Sequence, residues 1–177
     1  MIVVVGQPGD RDAPGIAVGA AVGGGRVQFV SRVADDRAGD RTILVLAEAG
    51  VGHVATLRQP PPASSLDAAD LELALRYLDE VGVLVVCGPD AALARTSAEA
   101  AAWSHAHLIV TVPDGAGVPD GIADGAIVLA APAADPDGAF SALIADLAVR
   151  LDAGEEPGAA FAATMAGRPA WTSATGD

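Results

Sequence analysis

Residues 126–151 read AIVLAAPAADPDGAFSALIADLAVRL. The first part, Ala126-Ile127-Val128-Leu129, is the short apolar run that a strand buried on both faces carries. The last part spaces Phe140, Leu143, Ile144, Leu147, Ala148 and Leu151 three and four residues apart, which predicts a helix. Between them, Asp135-Pro136-Asp137-Gly138 sits where a strand hands over to a helix N-terminus. In open α/β proteins such a junction binds anions, because free N–H groups and the helix dipole both point at it. Here it already holds two carboxylates and a proline with no N–H to give. The expectation is an anion site filled by the chain itself, with Asp135 or Asp137 capping the helix.

The same alternation runs outward from this stretch. Residues 1–6 (MIVVVG), 27–33, 53–57, 81–87 and 107–112 read as strands. Helices are expected over 16–22, ended by Gly23-Gly24-Gly25, over 41–49, and over a segment through Leu71, Leu75 and Leu78 capped by Asp67 or Asp70. Two more are expected over 97–105 and 157–166. Residues 59–65, with Pro60-Pro61-Pro62, form a loop. Short apolar strands alternating with helices predict a mostly parallel sheet covered on both faces, a three-layer α/β/α sandwich. The 177 residues fit one domain, with a polar tail over 167–177.

Composition excludes several functions. The net charge is −13, from 23 acidic and 10 basic residues, and every basic residue is arginine. So acidic a surface repels phosphodiester backbones and anionic lipids, which argues against nucleic acid and membrane partners. Without lysine there is neither a Walker-type phosphate loop nor Schiff-base chemistry. The one cysteine, Cys87, ends an apolar run and reads as a buried strand residue. No apolar stretch is long enough to span a bilayer and no signal-type segment opens the chain, so the expected location is cytoplasmic. His105 and His107 have no third ligand nearby in sequence, and no metal site is expected. Trp103, at a helix end, is expected in or partly in the core. Trp171, in the tail, is expected to dock on a partner or on the domain itself.

Residues 27–40 (VQFVSRVADDRAGD), followed after one helix by Ala49-Gly50-Val51, resemble the strand, Gly-Asp-Asp-x-x-Gly turn and helix of the ribokinase/PfkB carbohydrate kinase family. Asp35, Asp36 and Gly39 match that turn, and Ala34 replaces its first glycine. Residues 135–140 and the helix after them are similar to the family's Gly-Ala-Gly-Asp-Ala-Phe signature. The resemblance implies a ribokinase-like fold over residues 1–177, shortened and with the lid missing, because residues 6–15 leave no room for lid strands.

The departures fall on the chemistry that the resemblance implies. Aligned on Ala139-Phe140, the phosphate cradle and general base become Asp135, Pro136, Asp137 and Gly138. Gly138 thus stands where the family's base aspartate would be, and it has no side chain to accept a proton. Asp137, one residue away, is the weak candidate for a displaced base. The sugar-contacting motif best matches residues 14–19, with Gly15 retained and Gly19 in place of its asparagine. The family's Asn-x-x-Glu motif is excluded by the absence of asparagine.

The reading is a catalytically inactive relative of the sugar kinases, acting as a binding or scaffold protein with no cofactor. Its alternative is a reduced but active kinase for a sugar or nucleoside that uses ATP and Mg. The small-molecule ligand class that the resemblance brings into question is a sugar or a nucleotide, with ATP and Mg expected only under the active-kinase alternative. A homodimer packed through alanine-rich helices such as residues 98–102 is also expected.

Overall fold

The computed structural model describes residues 1–122 and 125–166, so the tail with Trp171 lies outside the described residues. The elements in chain order are β1 (Ile2–Val5), α1 (Asp12–Val22), β2 (Val27–Ala34), α2 (Arg37–Glu48), β3 (Thr56–Gln59) and α3 (Ala68–Leu75). They continue as β4 (Val83–Cys87), α4 (Ala91–Ser104), β5 (His107–Pro113), β6 (Ile127–Ala131), α5 (Ala139–Asp152) and α6 (Pro157–Ala166). Every named strand joins one six-stranded sheet in the order β3-β2-β1-β4-β5-β6, and every pairing is parallel. β2 and β6, the strands of the two family-like stretches, therefore share a sheet. No helix among the described residues is long and apolar enough to cross a membrane.

The central strand shows why the sheet needs cover on both sides. Ile2, Val3, Val4 and Val5 are all fully buried, and successive strand side chains point to opposite faces. Ile2 and Val4 pack with Ile16, Phe29, Ile144 and Leu147 under α1 and α5. Val3 and Val5 pack with Leu71, Leu93, Ala98 and Ala101 under α3 and α4. Cys87 is buried in the first of these clusters, and desolvation, with smaller repulsion from Asp10 and Asp12, pushes its thiol far above the ordinary cysteine range. A thiol so placed stays protonated and inert.

α1 and α5 meet through small residues. A Cβ at Gly15 would lie 3.3 Å from the side chain of Ser141, and one at Gly19 would lie 2.9 Å from the Cβ of Ala145. Both rows step by four residues, so the two helices approach along matching i±4 ridges. Gly15 and Gly19, the sugar-site positions of the resemblance, thus sit in a helix–helix interface.

Several expected boundaries move, each for a local reason. α1 begins at Asp12 because Asp10 Oδ1 accepts from the backbone N–H groups of Asp12 (2.9 Å) and Ala13 (3.3 Å), and Pro14 fits the first turn. β3 begins at Thr56 rather than residue 53, because the Thr56 N–H closes a turn onto the His53 carbonyl at 3.0 Å. α4 begins at Ala91, where Asp90 Oδ1 accepts from the Leu93 N–H at 2.8 Å. Its buried face is Leu93, Ala94, Ser97, Ala98 and Ala101. Trp103 falls on the opposite side and is 90% exposed, contrary to the expected core position. Ala98 and Ala101 are consumed by the core, which leaves Glu99, Ala102 and Trp103 on the free side of that helix.

Candidate functional site

The order β3-β2-β1-β4-β5-β6 places a topological switch point between β1 and β4. From there the chain leaves β1 toward β2 and leaves β4 toward β5. In open α/β sheets, ligands bind outside the carboxyl ends of the strands at that point. Three segments converge here: residues 6–11 after β1, residues 88–90 after β4, and residues 132–138 after β6.

Asp135 dominates the last of these segments. Its Oδ1 accepts from the Phe140 N–H at 3.1 Å, and its Oδ2 accepts from the Ser141 N–H at 3.0 Å and the Ser141 hydroxyl at 3.1 Å. Those donors are the ones a helix N-terminus offers to an anion. Gly138 is the N-cap residue itself, at φ +65° in the left-handed region, and contributes no side chain. The cap is instead delivered from three residues upstream. Burial pushes the Asp135 carboxyl up, but the Ser141 and Phe140 donors outweigh it, and its pKa lies below the ordinary aspartate value. Asp137 is exposed and makes no hydrogen bond or ion pair. The expected choice between the two aspartates resolves to Asp135.

Ser141 and the pair Asp10 and Asp12 were not singled out from the sequence. The signal for Ser141 is a hydroxyl in the first turn of a helix whose N-cap lacks a side chain. Asp12 stands beside both Asp10 and Asp135: burial first, then repulsion from these two carboxylates, raises its pKa, against a smaller lowering by Arg11. This acidic corner opens onto a cleft of about 370 Å³ lined by Asp10, Asp12, Thr111 and Asp114.

The turn residues lie on the other side of α1. Asp36 caps α2, its Oδ1 accepting from the Ala38 and Gly39 N–H groups at 2.9 Å each. Gly39 is required sterically, since a Cβ there would collide with the Ala34 carbonyl oxygen. Asp35 and Asp40 share Arg58, each at 2.6 Å. Asp36 and Gly39 border a cleft of about 620 Å³ at the carboxyl ends of β1 and β2, walled by Gly9, Pro14, Ser31, Arg32, Thr42 and Pro62, whereas Asp35, Asp40 and Arg58 do not line it. Gln7 holds the β1–α1 loop beside it, its amide accepting from the Leu66 N–H at 2.8 Å and donating to the Leu66 carbonyl at 3.2 Å. His105 ends α4 at φ 56° and His107 opens β5, so the pair straddles two elements. Among the described residues no group of three or more His, Cys, Asp or Glu side chains is placed to hold a metal ion.

No protein-family model matches the sequence, and no curated protein matches it. Solved structures do match the fold. Ribokinase from Giardia lamblia is 13% identical with a TM-score of 0.63, over 94% of this chain and 89% of that one. Aminoimidazole riboside kinase from Salmonella enterica, complexed with aminoimidazole riboside and an ATP analog, is 13% identical with a TM-score of 0.61, over 93% and 89%. The PfkB protein from Polaromonas sp. JS666 is 12% identical with a TM-score of 0.60, over 92% of both chains. The fold of this chain is that of the ribokinase/PfkB carbohydrate kinases.

Proposed function

We propose that this protein has the ribokinase-like fold without phosphotransferase activity and works as a binding or scaffold protein. One observation carries the reading: the Asp135 carboxylate already accepts from the donors at the N-terminus of α5, two of its hydrogen bonds being 3.0 and 3.1 Å long. Phosphoryl transfer depends on positive or donor groups that stabilise the moving charge. Here an anion stands in their place, with Asp12 and Asp10 beside it. Gly138, where the resemblance puts the general base, has no group to take a proton from a substrate hydroxyl. A sugar-like ligand would have the 620 Å³ cleft at the carboxyl ends of β1 and β2, which Asp135 does not line. No cofactor is needed for that role.

Calorimetry of the full chain with ATP, with and without magnesium, tests the reading. No measurable nucleotide binding at millimolar concentration is expected, and no ADP release in the presence of common sugars. Tight magnesium-dependent ATP binding would overturn it and put the reduced but active kinase first.

A further inference from the structure

A separate cleft lies under α3, on the face of the sheet opposite α1 and α5. Gln28 is the second residue of β2, and the cleft also takes in residues 54 and 55, which precede β3. Its volume is about 370 Å³, within the ordinary range for small-ligand pockets. Leu66 and Ala74 form a buried floor. Leu57, Leu73 and Tyr77 form walls that stay open to solvent, with Tyr77 79% exposed. These walls leave apolar surface uncovered around a concave floor.

Of the charged and amide groups that line this cleft, Asp70 is already paired with Arg32 and accepts from the Asp67 N–H, which leaves Gln28 as the informative one. Gln28 points to the α3 side of the sheet together with Val30. Its amide makes no hydrogen bond, and its Oε1 is buried without a partner. An unpaired buried amide costs free energy and needs an explanation. The amide lies against Gly52, where a Cβ would collide with it, so only glycine there leaves it this room. Gly52 is itself fixed by its N–H donating to the Val27 carbonyl at 2.9 Å and its carbonyl accepting from Phe29 at 2.7 Å. An unpartnered amide set among mainly apolar walls has the make-up of a recognition site.

We propose that this cleft binds a small, flat, apolar molecule whose edge carries an amide-like donor–acceptor pair. The ligand's carbonyl accepts from Gln28 Nε2 and its N–H donates to Oε1, which a turn about the soft terminal torsion of the side chain brings to the cleft. The ring body covers Leu57, Leu73 and Tyr77. Interchanging the two ends of the Gln28 amide leaves the match intact, since a lactam edge is complementary in either sense.

The test uses quinolin-2(1H)-one as probe and its N-methyl derivative as the control that lacks the donor. The chain contains no asparagine, and its glutamines are Gln7, Gln28 and Gln59 alone, so an amide-selective nitrogen–proton spectrum of the labelled full chain holds few side-chain signals. The Gln28 pair is identified by its loss in Gln28→Met. Saturable movement of the Gln28 pair, with Gln59 unmoved, is expected. The N-methyl derivative should bind about three- to tenfold more weakly, the worth of one net hydrogen bond. Tyr77→Ser, at an exposed position that the fold does not need, should weaken the probe several-fold. Absence of saturable shifts, equal binding of the two compounds, or shifts centred on Trp103 instead of Gln28 would each overturn the proposal. Should Gln28→Met fail to fold, the pair of compounds and Tyr77→Ser still decide.

Discussion

At Asp135, a single carboxylate does what a bound phosphate would do at the N-terminus of α5, and its removal has a computable consequence. Asp135→Ala leaves the Phe140 and Ser141 donors without their acceptor and should cost about 1 kcal/mol in urea unfolding, the usual worth of a lost N-cap. Asp137→Ala should stay within about 0.5 kcal/mol of wild type, because the side chain is exposed and makes no hydrogen bond or ion pair among the described residues. The pH dependence separates two neighbouring aspartates. Asp135 has a lowered folded pKa, so its contribution is present above the ordinary aspartate value near about 3.9 and is lost as pH falls through the folded value. Asp12 has a raised folded pKa, so the folded state holds its proton more firmly, and stability declines as pH rises from the ordinary value through the raised one. Asp12→Asn should therefore stabilise the protein at pH 7 and lose that advantage below about pH 4. Asp135→Asn should flatten the acid limb of the stability curve. Unfolding curves at several pH values read both effects, and an Asp12→Asn variant less stable than wild type at pH 7 would contradict the cluster.

Between elements, the α1–α5 contact is the tightest test of the packing. Gly19→Ala puts a methyl group 2.9 Å from the Ala145 Cβ, and the helices must part or shift. Overpacking of this kind costs about 1–3 kcal/mol, and Ala145→Gly in the same chain should return much of it. Thermal unfolding of the two single variants and the double variant measures the coupling; purely additive losses would mean that the helices do not meet there. The central strands of this layered fold were legible because residues 2–5 and 83–87 are unbroken apolar runs, as a doubly covered parallel sheet requires, whereas β2 keeps polar Gln28, Ser31 and Arg32 among its apolar residues. Helix starts were less legible. Asp10 and Asp90 cap from outside the apolar periodicity, so their turns were missed. Trp103 was misplaced because the helical phase of α4 is set by small buried residues, Ala94, Ser97, Ala98 and Ala101, among other alanines that blur it. The self-capped junction was legible, but its details were not: Ser141 lies six residues from Asp135, a spacing set by the left-handed Gly138 and not by any repeat.

Taken as a whole molecule, the protein joins a ribokinase-like sheet to a switch point crowded with carboxylates. That combination sets the largest prediction, that the wild-type protein does not bind nucleotide. Two negative charges near a triphosphate are unfavourable by about 1 kcal/mol per pair at 4 Å in water, and by more where water is excluded. Pro136 also removes one N–H from the cradle. Replacing Asp135→Gly, Pro136→Ala, Asp137→Gly and Gly138→Asp together should free the α5 donors and make the junction receptive to phosphate. The Gly138→Asp part carries its own penalty, about 1–2 kcal/mol, because φ +65° suits glycine; the space there is otherwise empty, with nothing within 4 Å of a new Cβ. Calorimetry should show ATP heats for the quadruple variant and none for wild type, at equal fold content by circular dichroism. Turnover should not return, since every named strand of the described residues belongs to the one sheet and none forms a lid over the cleft at the carboxyl ends of β1 and β2. ATP affinity equal in the two proteins would mean that Asp135 does not stand in for phosphate, whereas sugar phosphorylation by the variant would mean that closure over the cleft comes from elsewhere, as a partner chain would provide.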